Sequence, residues 1–226
     1  MAQPLSRPAR AGQICFLAAE GALYAALLAL DLSGRSSTPV RYAAICLCAG
    51  AAALLLGRDW LIPLALVLAL GADTFLLLLD EHYLLGVLLF CLVQTLYAAR
   101  LAAAHGGALL LPRLVLFAAA LAALWLLDAL VPLTAASAWS FSQLTLSALE
   151  APFVRRLVPG GALLAWGLGL FWCCDVCVGI YNAAPFLPAL PLEGLIPLAS
   201  FGMWLFYLPA QVLIVLSLWR YPPRKG

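Results

Sequence analysis

Five acidic residues stand inside long oily runs of this chain: Glu20, Asp73, Asp128, Glu150 and Asp175. An acid at the centre of a membrane helix costs about 2.5–3.5 kcal/mol on insertion scales, so each needs a physical reason to be there. Glu150 lies near the end of its run beside Arg155 and Arg156, and Asp128 lies near an end close to Pro132, where it reaches water. Asp73 and Asp175 have no such exit. At about 1.5 Å per helical residue, each sits roughly 20 Å along its run, and the two runs point the same way. Two carboxyls at one level that face each other across an interior share a proton, so that one donates while the other accepts. That is equipment for acid–base chemistry on a bond held inside a membrane. The same residues also fit a plainer reading, two unrelated aspartates each hydrogen-bonded to a neighbouring helix.

Further polar side chains lie at similar depths. Glu20, Gln94 and Tyr207 fall near mid-depth, and Tyr97 and Gln211 fall one turn further toward the cytoplasmic end. Singly, such groups join helices. Together with two acids they predict a polar pocket.

The elements that must position these groups follow from composition. The 226 residues are 66% hydrophobic and only 10% charged, against roughly 45–50% apolar and 25% charged in a soluble domain. The excess runs along the whole length, so lipid is the solvent for most of the chain. A spanning helix needs about 20 apolar residues. Eight runs qualify: 12–32, 40–56, 60–79, 83–104, 112–131, 137–154, 160–181 and 198–219. The sixth is the most polar, with Ser140, Ser142, Gln143, Thr145, Ser147 and Glu150. Eight spans put ten basic residues on the side of the termini and only Arg35 and Arg41 opposite. That asymmetry places both termini in the cytoplasm. It is lost if the sixth run does not cross. The expected fold is therefore all-α, residues 1–226 forming one eight-span, multi-pass domain in the cell membrane. The connection 182–197 holds Pro185, Pro188, Pro191 and Pro197 and cannot be regular helix throughout.

Composition also excludes. A net charge of +2 with scattered basic residues gives no nucleic-acid footprint. The seven cysteines all lie in apolar runs and read as small packing residues. Cys174 and Cys177 have a CxxC spacing without a second pair or a histidine cluster, so no metal site is expected. No cofactor motif appears. A weak echo divides the chain after four spans: in each half the third span carries an aspartate, and the fourth carries tyrosine and glutamine, in FCLVQTLY and WLFYLPAQ. Such an echo is compatible with a 4+4 parallel repeat.

At these residues the sequence resembles the YhhN family, which includes the mammalian lysoplasmalogenases. The first stretch of likeness is Gly71, Asp73, Tyr83, Gly86, Phe90, Gln94 and Tyr97. The second is GLGLFWCCDVCVGIYN followed by FYLPAQVLIVLS, with Gly169, Phe171, Asp175, Tyr207, Ala210 and Gln211. There are three departures: Ala72 separates Gly71 from Asp73, Gln94 stands where histidine is usual, and Cys174 where serine is usual.

The resemblance implies an eight-span protein that hydrolyses the vinyl-ether bond of a lysoplasmalogen to a fatty aldehyde and a glycerophospho-base. It implies a lipid substrate of the lysophospholipid type. Vinyl ethers are acid-labile, and protonation leaves an oxocarbenium-like cation that water captures. One neutral acid and one carboxylate suit that step, as in glycoside hydrolysis. Asp73 and Asp175 are the expected pair. Gln94, Tyr97, Tyr207 and Gln211 would orient water or bind the head group, with Glu20 a further candidate. Rival readings are a non-catalytic or transport-type membrane protein with a polar interior, a scaffold, and an intramembrane aspartyl protease, whose Tyr-Asp and Gly-x-Gly-Asp signatures are absent from this sequence.

Overall fold

The computed structural model describes residues 7–105, 109–183 and 193–220. Within them the chain is all-helical, with no strand. Eight α-helices follow in order: α1 Arg7–Leu32, α2 Thr38–Ala53, α3 Leu61–Asp73, α4 Tyr83–His105, α5 Leu110–Leu126, α6 Pro132–Val154, α7 Gly161–Ala183 and α8 Ile196–Trp219. A π-helical segment, Thr74–Leu79, continues α3. Each helix coincides with one of the eight apolar runs. Five segments are long and apolar enough to cross a membrane: Ala9–Leu32, Leu61–Leu79, Tyr83–Ala104, Gly161–Asn182 and Ile196–Trp219. The helices α2 and α5 are apolar but short, at 16 and 17 residues, and α6 is long but polar. Large apolar side chains such as Leu64, Leu92, Phe153 and Trp166 point outward, as they must where lipid is the surroundings. This is a multi-pass membrane protein.

The fifth and sixth helices depart from expectation at their junction. The helix α5 stops at Leu126, and α6 starts at Pro132, five residues earlier than the run Ser137–Val154. Asp128 takes a left-handed φ of 53° that reverses the chain. Pro132 then sits in the first turn, where its missing N–H costs nothing. Asp128 is exposed, as its position near Pro132 predicted. Most of the proline-rich connection lies outside the described residues. Its last part, Glu193–Leu195, is a short 3-10 turn leading into α8.

The central helix is α8, which packs against α1, α2, α3 and α7. Its contact with α7 is close because Gly167 faces it: a Cβ there would lie 2.7 Å from Ile214 Cγ1 and 3.1 Å from the Ala210 carbonyl oxygen. By contrast α5 rests on α6 alone among the helices it contacts extensively. Pro209 inside α8 cannot donate to the Leu205 carbonyl four residues back. The Tyr24 hydroxyl of α1 donates to that carbonyl instead, at 3.0 Å.

Polar ties fix the two ends of the bundle. At the end that holds both termini, Arg58 donates to the Trp219 carbonyl at 2.9 Å and so caps α8, and Arg100 pairs with Asp59. At the opposite end Arg41 pairs with Asp31 at 2.9 Å and lies over the Trp204 ring.

Candidate functional site

The interior between α3, α4, α7 and α8 is built from one face of each helix. On α4, Phe90, Gln94 and Tyr97 recur at i, i+4 and i+7. On α8, Trp204, Tyr207 and Gln211 recur at i, i+3 and i+7, and α7 presents Phe171, Cys174 and Asp175. A helix turns 3.6 residues per turn, so each set forms one stripe. On α3 the stripe ends at Asp73, where α-helix gives way to the π-helical segment. Such widened turns recur at functional sites in proteins. Here Thr74 closes the junction. Its hydroxyl donates to the Leu70 carbonyl at 2.7 Å and shares a 3.0 Å hydrogen bond with Tyr42 of α2.

Asp73 is buried and accepts the Tyr207 hydroxyl on Oδ2 at 2.6 Å. This bond joins residues 134 positions apart, Asp73 at the end of α3 and Tyr207 near the middle of α8. Aromatic rings wall the pair. The Tyr207 ring meets Phe171 at 5.4 Å, Trp204 at 5.5 Å and Phe90 at 6.4 Å, all edge to face. Those separations and angles are the favourable ones for aromatic pairs. The Phe171 ring also meets Tyr97 at 6.3 Å.

Asp175 is less enclosed than Asp73, only half-buried, and no described side chain or backbone group hydrogen-bonds it. Its sequence neighbour Cys174 is buried, and among the described residues no hydrogen bond joins Asp73 to Asp175. One turn toward the termini end come Gln94, Tyr97 and Gln211, each at most 1% exposed. Beyond them Glu20 of α1, also buried, accepts the Cys48 thiol of α2 at 3.2 Å.

Six of the seven residues singled out in the sequence, Glu20, Asp73, Gln94, Tyr97, Tyr207 and Gln211, are buried in the bundle, and Asp175 is partly exposed. Sequence reasoning missed Cys48 and underrated Cys174, which it took for packing residues. Only their neighbours mark them, and those neighbours come from other helices. It also did not foresee Arg113 as a partner of Glu150. Arg155 and Arg156 follow the end of α6 and are exposed. Arg113 of α5 donates to Glu150 at 2.5 Å, within a buried set that includes the Gln143 carbonyl at 2.9 Å and Ser147 Oγ at 3.1 Å. Among the described residues no group of His, Cys, Asp and Glu is arranged to hold a metal ion.

Both stretches that carry the polar stripes fall inside residues 38–218, which match the YhhN family along their length. The chain belongs to the YhhN family. No curated protein and no solved structure matches it. Within this YhhN chain the family match takes in α2 to α8, and so includes Asp73, Gln94, Tyr97, Asp175, Tyr207 and Gln211 but not Glu20.

Proposed function

We propose that this protein is a membrane hydrolase of the lysoplasmalogenase type, with Asp73 and Asp175 as its acid–base pair. We further propose that all eight helices cross the bilayer, with both termini cytoplasmic. The observation that carries the first reading is Asp73, buried among aromatic rings and hydrogen-bonded by Tyr207. The family supplies the reaction class.

Roles follow from geometry. Asp73 accepts a hydrogen bond and has the posture of the proton acceptor. Asp175 has no donor fixed to it and is the proton donor. Asp175 gives its proton to the β-carbon of the vinyl ether, and the π-electrons form that C–H bond. The α-carbon becomes an oxocarbenium-like cation, which the faces of Phe171, Tyr207 and Phe90 stabilise as aromatic rings stabilise cations. Water bonds to the α-carbon and loses a proton to Asp73. The hemiacetal then breaks its C–O bond, leaving an aldehyde and an alcohol. Gln94 cannot exchange protons near neutral pH, so the proton traffic rests on the two carboxyls. Tyr97 and Gln211 orient the polar part of the substrate or the water.

The test uses purified protein in lipid nanodiscs with a lysoplasmalogen, and measures fatty aldehyde. Wild type is expected to release aldehyde from the vinyl ether and none from a saturated ether analogue. Asp73→Asn and Asp175→Asn should each lower the rate about 10²–10⁴-fold, the usual worth of a general acid or base. A silent wild type, or two variants at full rate, would reject the proposal.

A further inference from the structure

The polar interior does not end at the Asp73–Tyr207 bond. Four side chains from three helices carry buried polar atoms that no described group satisfies. These are Oε2 of Glu20 on α1, both amide atoms of Gln94 and the hydroxyl of Tyr97 on α4, and both amide atoms of Gln211 on α8. None of the four residues is more than 3% exposed.

They form a series within one buried cluster. The Cys48 thiol donates to Glu20 Oε1, and Cys48, Tyr97, Phe171 and Tyr207 belong to the same packed core. The Phe171 ring meets the Tyr97 and Tyr207 rings at 6.3 and 5.4 Å. Gln94 lies one turn from Tyr97, and Gln211 one turn from Tyr207. No Lys, Arg or His takes part, so the series offers nothing that holds an anion. It offers donors and acceptors in mixture, and that is what water needs. A buried water takes about two to four hydrogen-bond partners, which two amides, a phenol and a carboxyl provide in excess. A dry interior would strip these groups of hydration and return nothing.

We infer that Glu20, Cys48, Gln94, Tyr97 and Gln211 line a water-filled branch that reaches Asp73 from the termini end of the bundle and supplies the water consumed in each turnover. The hydration stands on the orphaned groups alone. The delivery rests on the hydrolytic reading above, since each vinyl ether cleaved takes up one water. Fatty chains can reach the compartment only from its apolar sides, so this branch keeps the nucleophile and the lipid tail on separate approaches. Glu20, outside the stretch matched to the family, is assigned here as a positioning residue at the far end of the branch.

X-ray hydroxyl-radical footprinting of the full chain in nanodiscs tests the hydration without any turnover, because radicals formed from bound water label buried neighbours. Tyr97 and Cys48 are expected to be labelled although buried, with labelling falling severalfold in Gln211→Leu and in Glu20→Leu. Should either variant fail to fold, Tyr97→Phe supplies the second measurement. In a wet branch it leaves the melting temperature unchanged or lowers it, whereas in a dry one the loss of an orphaned hydroxyl raises it. Unlabelled Tyr97 and Cys48, or a raised melting temperature, overturn the inference. For delivery, kcat for aldehyde release should fall about tenfold or more in Gln211→Leu with KM little changed, the pattern of a lost step after binding. Labelled residues with unchanged kcat would overturn delivery. Labelled residues in a wild type that releases no aldehyde would instead count against the hydrolytic reading and leave the hydration intact.

Discussion

Helices α1–α4 and α5–α8 carry similar polar residues in similar order, yet the two halves treat them differently. Each half has a buried glutamate joining helices of its first pair. In the second half Glu150 meets Arg113, within a set that also engages Gln143 and Ser147. In the first half Glu20 meets only a thiol and keeps one oxygen unsatisfied. The third helix of each half has its aspartate. Asp73 is pinned by a tyrosine from the other half, whereas Asp175 has no hydrogen-bond partner among the described residues. The fourth helix of each half has its tyrosine. Tyr207 is used and the Tyr97 hydroxyl is orphaned. The acids that join helices at the ends, Asp31 and Glu150, are ion-paired, while Glu20, Gln94, Tyr97 and Gln211 keep polar atoms without a partner among the described residues. The contrast separates scaffold from site inside one bundle.

The strongest way to break this contrast is at the glutamates. Arg113→Ala removes a buried cation bonded to Glu150, Gln143 and Ser147, and removing one partner of a buried pair costs about 3–5 kcal/mol. Glu20→Gln keeps the size and an acceptor oxygen and removes no ion pair among the described residues, so it should cost clearly less than Arg113→Ala. Thermal melts of the two variants in the same detergent measure the difference. Equal losses would mean that Glu20 has a structural partner after all.

A sharper cut runs between the two aspartates. Tyr207→Phe removes the hydroxyl from Asp73 and makes the two carboxyls alike. A hydrogen bond to a charged group contributes about 1.5–3 kcal/mol, so turnover should fall roughly 10–100-fold. Infrared spectra should show the carboxyl band of Asp73 moving while that of Asp175 stays. If both bands move together, the two acids are hydrogen-bonded through the tyrosine in solution, and the division of roles between them is wrong.

Much of this was legible in the sequence because it depends on periodicity and depth. Eight apolar runs gave eight helices, and counting residues along them put Asp73, Asp175 and Tyr207 at one level. Stripe membership was legible too: Gln143, Ser147 and Glu150 share one face at i, i+4 and i+7, while Arg155 and Arg156 lie beyond the end of α6. The short connection between α5 and α6 makes them antiparallel neighbours, which brings Arg113 level with Glu150. What periodicity cannot reveal is which non-adjacent helices touch. The bond from Tyr207 to Asp73 depends on α8 packing against α3, and no local pattern specifies that. The π-helical segment after Asp73 was also invisible, because six residues of ordinary helix-forming type, Thr74–Leu79, adopt it.

The packing of α7 on α8 offers a third test. Gly167 leaves no room for a methyl, whereas a Cβ at Gly169, half a turn along, meets nothing within 4 Å. Gly167→Ala should therefore cost about 1–3 kcal/mol through overpacking. Gly169→Ala should be neutral or gain up to about 1 kcal/mol from helix propensity. The counterpart on α3, Gly71, has an ordinary 3.5 Å contact and should accept alanine as Gly169 does. Melting temperatures of the three variants rank the helix contacts directly. A tolerated Gly167→Ala would show that α7 and α8 slide apart at little cost, and with them the setting of Asp175.

The smallest effect is expected where the two halves are joined through a backbone carbonyl. Pro209 leaves the Leu205 carbonyl without its helical donor, and Tyr24 supplies one from α1. Tyr24→Phe removes that donor, and the net worth of a neutral hydrogen bond is about 0.5–1.5 kcal/mol. Pro209→Ala restores the helical N–H, so in that background the same Tyr24→Phe change should cost less. A double-mutant cycle over these two positions isolates the coupling. Non-zero coupling of the expected sign ties α1 to α8 through the proline. Zero coupling would mean that the carbonyl is satisfied another way, and that α1 meets α8 through apolar contacts.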